Sequence, residues 1–448
     1  MSARSPRRKK AAGVSPAAET PRVHTLANGV RVVCDPIPGL QTVALSVVSG
    51  RGARFEDAER SGWSHLLEHM VFKGAGGRSA RGIVEVIEAE GGNINAATGY
   101  ERTSYQVRAL KHGLDLGSRV LSDLVLRPHM EEDDLRREKQ VVAQEIAEAA
   151  DAPDDLVFEL AQEAAFEGQA LGRPILGTTE SIGRASPDTL SEWRAALYGP
   201  ETLVVSAAGA VDEDELLRLA ERDFGQAEGA SLPPPEPASF TGGERPVAKK
   251  LEQANIVLLL PAVGVLDPDY FTLRLLAEIL GGGMASRLFQ EAREKRGLAY
   301  AIDAYSETYA DTGVLGVFAG CAATDAEELA RVTAGEIIEL LKPVPEAELA
   351  RAKAQLKGSM FMGREGALAR AEQAAGQVLL FGRTLHPDIV AREVDSVTAD
   401  DIARLVEWIL RSRKSAVAVL GPKPALRAAP VFEASLFGLG AVAFTPTY

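Results

Sequence analysis

The sequence is poor in cysteine, in histidine and in long apolar runs, and each shortage excludes something. Two cysteines in 448 residues, Cys34 and Cys321, cannot build a disulfide framework, which points to a reducing compartment. No apolar stretch approaches the roughly 20 residues needed to span a bilayer, so no membrane-crossing role is expected. An excess of base is missing too. The 49 Lys and Arg against 63 Asp and Glu give a net charge of −14, which argues against nucleic acid as a partner. That balance is compatible with basic peptides but does not locate an acidic site. The hydrophobic and charged fractions, 46% and 25%, are those of a globular protein, and the length suffices for two to four domains.

Residues 1–21 carry Arg4, Arg7, Arg8, Lys9 and Lys10 and no acid before Glu19. They lack the apolar core of a secretory signal, and no bulky apolar residue lies between Met1 and Val14 to give a transit peptide its amphipathic face. A disordered basic tail is expected there. The expected location is a bacterial cytoplasm, with the mitochondrial matrix as the alternative.

Pro233-Pro234-Pro235-Glu236-Pro237, followed by Gly242-Gly243, resists both helix and sheet and marks a linker over 229–244. It separates two halves, 22–228 and 245–425, and leaves a final segment, 426–448, to which the sequence gives no role. Each half opens on an apolar run (Val30 to Val48; Ala254 to Val263) followed by a helical stretch (Ser61 to Gly74; Tyr270 to Leu280). Late in each comes acid-Leu-x-Arg-x-Lys: Asp134-Leu135-Arg136-Arg137-Glu138-Lys139 in the first, Glu348-Leu349-Ala350-Arg351-Ala352-Lys353 in the second, offset by 214 positions (134 to 348). The matching placement favours duplication. Strands interspersed with helices predict an α+β fold of two homologous domains, each a mainly antiparallel sheet with helices packed on one face.

Of the six histidines, two fall in His65-Leu66-Leu67-Glu68-His69. On a helix, residues four apart share a face, so both imidazoles can reach one Zn²⁺, with Glu68 beside them as general base for a water held there. A catalytic zinc takes three protein ligands. The candidates for the third lie on the helix expected over Asp133 to Ala149, where Glu138 and Glu145, seven apart, share a face about 10 Å from each other. Spacing alone does not choose between them. In the duplicated register Glu138 corresponds to Ala352 and Glu145 to Ser359, and the second half has no His-x-x-Glu-His. One half would carry the metal while the other keeps the fold.

Gly62-x-x-His65-Leu66-Leu67-Glu68-His69-Met70-x-Phe72-Lys73-Gly74 closely resembles the active-site helix of the pitrilysin-type zinc peptidases, which include insulin-degrading enzyme and the β subunit of mitochondrial processing peptidase. The resemblance implies Glu145 as third ligand, 76 positions after His69 and followed by Ile146, with Glu138 supporting the site. It implies that Gly91-Gly92-Asn93-Ile94-Asn95-Ala96-Ala97-Thr98 is the edge strand that takes the substrate, with Asn95 and Ala96 holding its backbone. A glycine-rich edge next to a strand-prone run is consistent with that. The triplet Gly281-Gly282-Gly283 is followed by no Gly-Lys-Ser/Thr, which excludes a phosphate loop. Downstream, Arg293 and Tyr300 resemble the family's Arg/Tyr pair, which binds substrate and stabilises the oxyanion.

The resemblance covers most of 22–425. It implies a zinc endopeptidase with one Zn²⁺ per chain, acting on unfolded peptides or leader peptides inside a closed chamber. It also implies a homodimer, or a heterodimer with a paralogous subunit, in which Arg293 and Tyr300 reach the other subunit's zinc. The rival reading is a non-catalytic scaffold of the same fold, like the family's respiratory-complex core subunits.

Overall fold

A computed structural model of the protein describes residues 20–438. All but the last two residues of the expected basic tail lie outside the described residues, as do residues 439–448.

Strands form where apolar residues alternate or run together. The first sheet has β1 (Arg22–Thr25), β2 (Arg31–Pro36), β3 (Thr42–Ser49), β4 (Asn93–Thr98), β5 (Thr103–Leu110) and β6 (Leu203–Gly209), in the spatial order β1-β2-β6-β3-β5-β4. Only β2 and β6 run parallel. The second has β7 (Gly243–Ala248), β8 (Ala254–Ala262), β9 (Ala299–Thr308), β10 (Gly313–Cys321) and β11 (Ala416–Gly421), in the order β9-β10-β8-β11-β7, with β7 and β11 its one parallel pair. Without β1 the two sheets have the same topology, strand for strand. The duplication read from a six-residue signature is therefore present in the fold itself.

Each strand's alternation sends side chains to two faces. In the first sheet Val43, Leu45, Val47, Tyr105 and Val107 join a core with Leu66, Leu67 and Met70 of the helix Trp63–Val71. In the second, Ile256, Leu258, Val417 and Val419 pack against the helices Tyr270–Gly281, Ala326–Glu339 and Ala399–Arg411. Each such buried Val, Leu or Ile side chain contributes about 1.5–3 kcal/mol. The helix Ala428–Phe437, in the segment given no role, buries Phe432 and Leu436 in the same core.

The opposite faces are covered by exchange. The helix Pro153–Ala165 of the first half lays Val157, Ala161 and Ala164 on Val257, Leu259 and Ala418 of the second sheet. The helix Ala367–Phe381 of the second half lays Ala374, Ala375 and Val378 on Val33, Val48 and Val204 of the first. The two exchanged helices start 214 positions apart, the same offset as the duplicated signature. Small residues at both contacts let helix and sheet approach closely. Two arginines, Arg54 buried and Arg370 half-buried, pin the halves. Arg370 holds Asp35 through two hydrogen bonds, at 2.7 and 2.5 Å. Arg54 bridges Glu101 at 2.5 Å and Asp311 at 2.6 Å, and also donates to the carbonyl of Glu236 in the proline-rich connector.

Candidate metal centre

The helix Trp63–Val71 turns Trp63, Leu66, Leu67, Met70 and Val71 into the core, and its half-buried residues are His65, Glu68 and His69. Its first turn has no side-chain cap of its own. Glu56 supplies one from the preceding loop, accepting from the N–H of Gly62 at 2.8 Å and of Ser64 at 2.7 Å. Burial pushes the Glu56 carboxyl up to about 7, against the pull of the Ser64 and Gly62 donors. Gly62 has φ +87, and a Cβ there would come within 2.5 Å of the Leu176 carbonyl, so only glycine lets the helix start at this point.

Facing it runs the helix Glu132–Asp151, whose inner face is Leu135, Glu138 and Val142. Seven residues after Glu138, Glu145 lies two turns further along. One Glu145 oxygen is 3.8 Å from Nε2 of His65 and 3.4 Å from Nε2 of His69. Among the described residues, His65, His69 and Glu145 form a metal-ligating group, with one donor atom from each lying within 4.8 Å of the others.

The donor chemistry fits zinc. Nδ1 of His69 faces Glu138 at 3.2 Å. With Nδ1 donating to Glu138, Nε2 is the ring atom left to offer a lone pair to a cation. Burial, helped by His69 alongside, drives the His65 imidazole down to about 4, so it is neutral near pH 7. Its Nδ1 is buried with no partner. Two imidazole nitrogens and one carboxylate oxygen converging on a common point suit Zn²⁺ with a fourth position open.

Glu138 is 5% exposed and sits between His69 and Lys73, whose Nζ is 2.7 Å away. The structure thus places the two glutamates differently: Glu145 at both imidazoles, Glu138 behind one of them. Glu138→Gln is expected to weaken zinc binding by about 10- to 100-fold, measured by competition with a chelating dye. Unchanged affinity would show that Glu138 does not orient His69.

Glu68 is not among the three converging donors. Its carboxylate accepts a hydrogen bond from the hydroxyl of Thr98, the last residue of β4. Burial raises its pKa, and the Thr98 bond lowers it. A basic carboxylate is thereby fixed at the sheet's edge. The outer edge of β4 pairs with no strand among the described residues. Asn95 is opposite Gln106 in register and exposed, and Ala96 is opposite Tyr105 and half-buried. Thr98, Lys73 and Glu56 had no assigned role in the sequence reading. Thr98 and Lys73 act through partners distant in the chain, and Glu56 through backbone N–H groups of the next helix.

Arg293 and Tyr300 are not brought to this site. Arg293, in the π-helical turn Phe289–Lys295, lies over the ring of Phe289 at 4.7 Å. Tyr300 is 63% exposed near the start of β9, the edge strand of the second sheet. Neither makes a hydrogen bond or ion pair with His65, Glu68, His69 or Glu145 among the described residues.

The family model described as Insulinase (Peptidase family M16) matches residues 31–179, and that described as the Peptidase M16 inactive domain matches residues 184–356. A protein of Rickettsia felis described as an uncharacterized zinc protease is 34% identical over 401 residues, covering 89% of this chain and 97% of its own. One of Bacillus subtilis with the same description is 34% identical over 404 residues, covering 89% and 98%. A protease from Helicobacter pylori shares the fold at a TM-score of 0.82 and 21% identity, over 90% of this chain and 99% of that one. A chain from complex III2 of Candida albicans does so at 0.80 and 22%, over 92% and 99%. No helix among the described residues is long and apolar enough to cross a membrane.

Proposed function

The chain belongs to the M16 (insulinase) family of peptidases, and from that premise we propose that it is a zinc-dependent endopeptidase acting on extended, unfolded peptides. The observation that carries the proposal is the convergence of His65, His69 and Glu145 beside a separate carboxylate, Glu68, which is tied to an open strand edge.

His65, His69 and Glu145 would hold the zinc. When bound, it would supply Lewis acidity, polarising both the attacking water and the scissile carbonyl. The chain's own groups do the rest. The outer edge of β4 accepts the peptide as an added strand through main-chain hydrogen bonds near Asn95 and Ala96. Glu68 takes a proton from the attacking water and returns it to the leaving nitrogen. Glu138, itself paired with Lys73, faces Nδ1 of His69 and orients its ring.

Arg293 and Tyr300 would act from a second subunit. Supporting this, Tyr300 stands exposed on a sheet edge and neither residue touches the zinc-site residues of its own chain. A homodimer would enclose the site in a chamber, and a paralogous partner would do the same. Chamber entry favours flexible chains, whether generic unfolded peptides or leader peptides. A zinc-loaded preparation should consume an unfolded polypeptide while leaving the same polypeptide, folded, intact over the same interval. Rapid digestion of the folded form would contradict the chamber. Cleavage of neither form, with zinc bound, would favour the scaffold reading or a missing paralogous subunit.

A further inference from the structure

Neighbouring residues of β4 point to opposite faces of the first sheet. Thr98 turns to the histidine helix, where it binds Glu68. Ala97 turns the other way and lines a cavity of about 870 Å³ between the two halves. The cavity lies against the face that receives the exchanged helix Ala367–Phe381, and Val48 of that face is also on its wall. Its apolar lining comes mostly from the second half: Leu266, Phe271, Phe361 and Phe381. Leu266, Phe361 and Phe381 are 53%, 45% and 40% exposed, unusual for large apolar side chains lining one recess.

We infer that this cavity is a specificity pocket for the substrate, taking a bulky apolar side chain from the peptide residue that pairs with Ala97. The inference rests on the peptidase reading and adds to it which substrates are preferred. In an added strand, directly opposite residues share a face. The peptide residues opposite Ala96 and Thr98 therefore face the zinc side, and the one between them, opposite Ala97, faces the cavity. Strand addition gives affinity through the main chain and leaves selectivity to pockets for alternate side chains. The volume lies within the range of sites that enclose small ligands and is ample for one large side chain. The second half, which has no metal ligands of its own, thereby gains a part in choosing the substrate.

The test is a peptide series of fixed background in which one residue is leucine or serine, moved one position at a time past the cleaved bond. Burying the leucine is expected to raise kcat/KM by about 10- to 100-fold over serine. The preference should peak at one position and be absent from its two immediate neighbours, whose side chains face the zinc side, a pattern that a general liking for apolar peptides does not produce. In the double variant Phe361→Ser/Phe381→Ser, both replaced residues being exposed, the leucine-over-serine ratio of kcat/KM should fall to about 1, with zinc content unchanged. A preference that survives in the double variant, or that is equal at adjacent positions, overturns the inference. If the wild type cleaves nothing, the peptidase reading fails separately, and anisotropy of the same labelled peptides on zinc-loaded Glu68→Gln decides the pocket. The leucine-over-serine difference in binding, lost in Phe361→Ser/Phe381→Ser, upholds it, and equal binding overturns it.

Discussion

Glu68→Gln is expected to bind zinc as the wild type does and to hydrolyse peptides about 10²- to 10⁴-fold more slowly. The two halves of that expectation come from different parts of the geometry. In the proposed site zinc is held by His65, His69 and Glu145, and Glu68 is outside that set. The glutamine carbonyl can still accept from Thr98, so the helix face and the edge of β4 keep their arrangement. What glutamine cannot do is accept a proton from water near neutral pH. Zinc content and hydrolysis of a quenched fluorescent peptide, measured on one preparation, separate the effects. Loss of zinc would make Glu68 a ligand, and activity within about tenfold of wild type would place the base elsewhere.

Asp35→Ala is expected to lower stability by about 3–5 kcal/mol without touching the metal centre. Asp35 is 2% exposed on β2 and accepts two hydrogen bonds from Arg370 of the exchanged helix. Removing the carboxylate leaves a guanidinium stranded between sheet and helix, where its desolvation is no longer offset. The double variant Asp35→Leu/Arg370→Met should recover most of the loss, because apolar side chains of similar size suit that interface. Urea unfolding of the three proteins reads this directly. A loss below about 1 kcal/mol in Asp35→Ala would mean that the contact between halves does not depend on the pair.

The metal helix was legible because four-residue spacing fixes a shared face whatever surrounds it. Spacing alone does not choose the third donor, because Glu138 and Glu145 lie on the same face of one helix, although the family resemblance names Glu145. Only the packing of that helix against Trp63–Val71 sets one at both imidazoles and the other behind His69. The duplication was visible in the acid-Leu-x-Arg-x-Lys signature, and the two sheets repeat it in their strand order. The exchange of helices was hidden. The stripe of Val157, Ala161 and Ala164 shows that a helix is buried, not which sheet buries it. Thr98 stood inside a recognised strand motif, yet its partner is 30 residues away and its role needs the fold. Arg293 and Tyr300 are a limit of another kind: the fold of one chain leaves both away from His65, Glu68, His69 and Glu145, and their proposed action from a second subunit rests on the family resemblance.

Zinc titration of the chelated wild-type protein, with bound metal and peptide hydrolysis read on the same samples, tests the central claim most directly. The account predicts no hydrolysis without metal and a return of activity in proportion to zinc. Both should saturate at one zinc per chain, and both should be lost in Glu145→Ala. Hydrolysis by the metal-free protein, or zinc bound at full stoichiometry in Glu145→Ala, would contradict it.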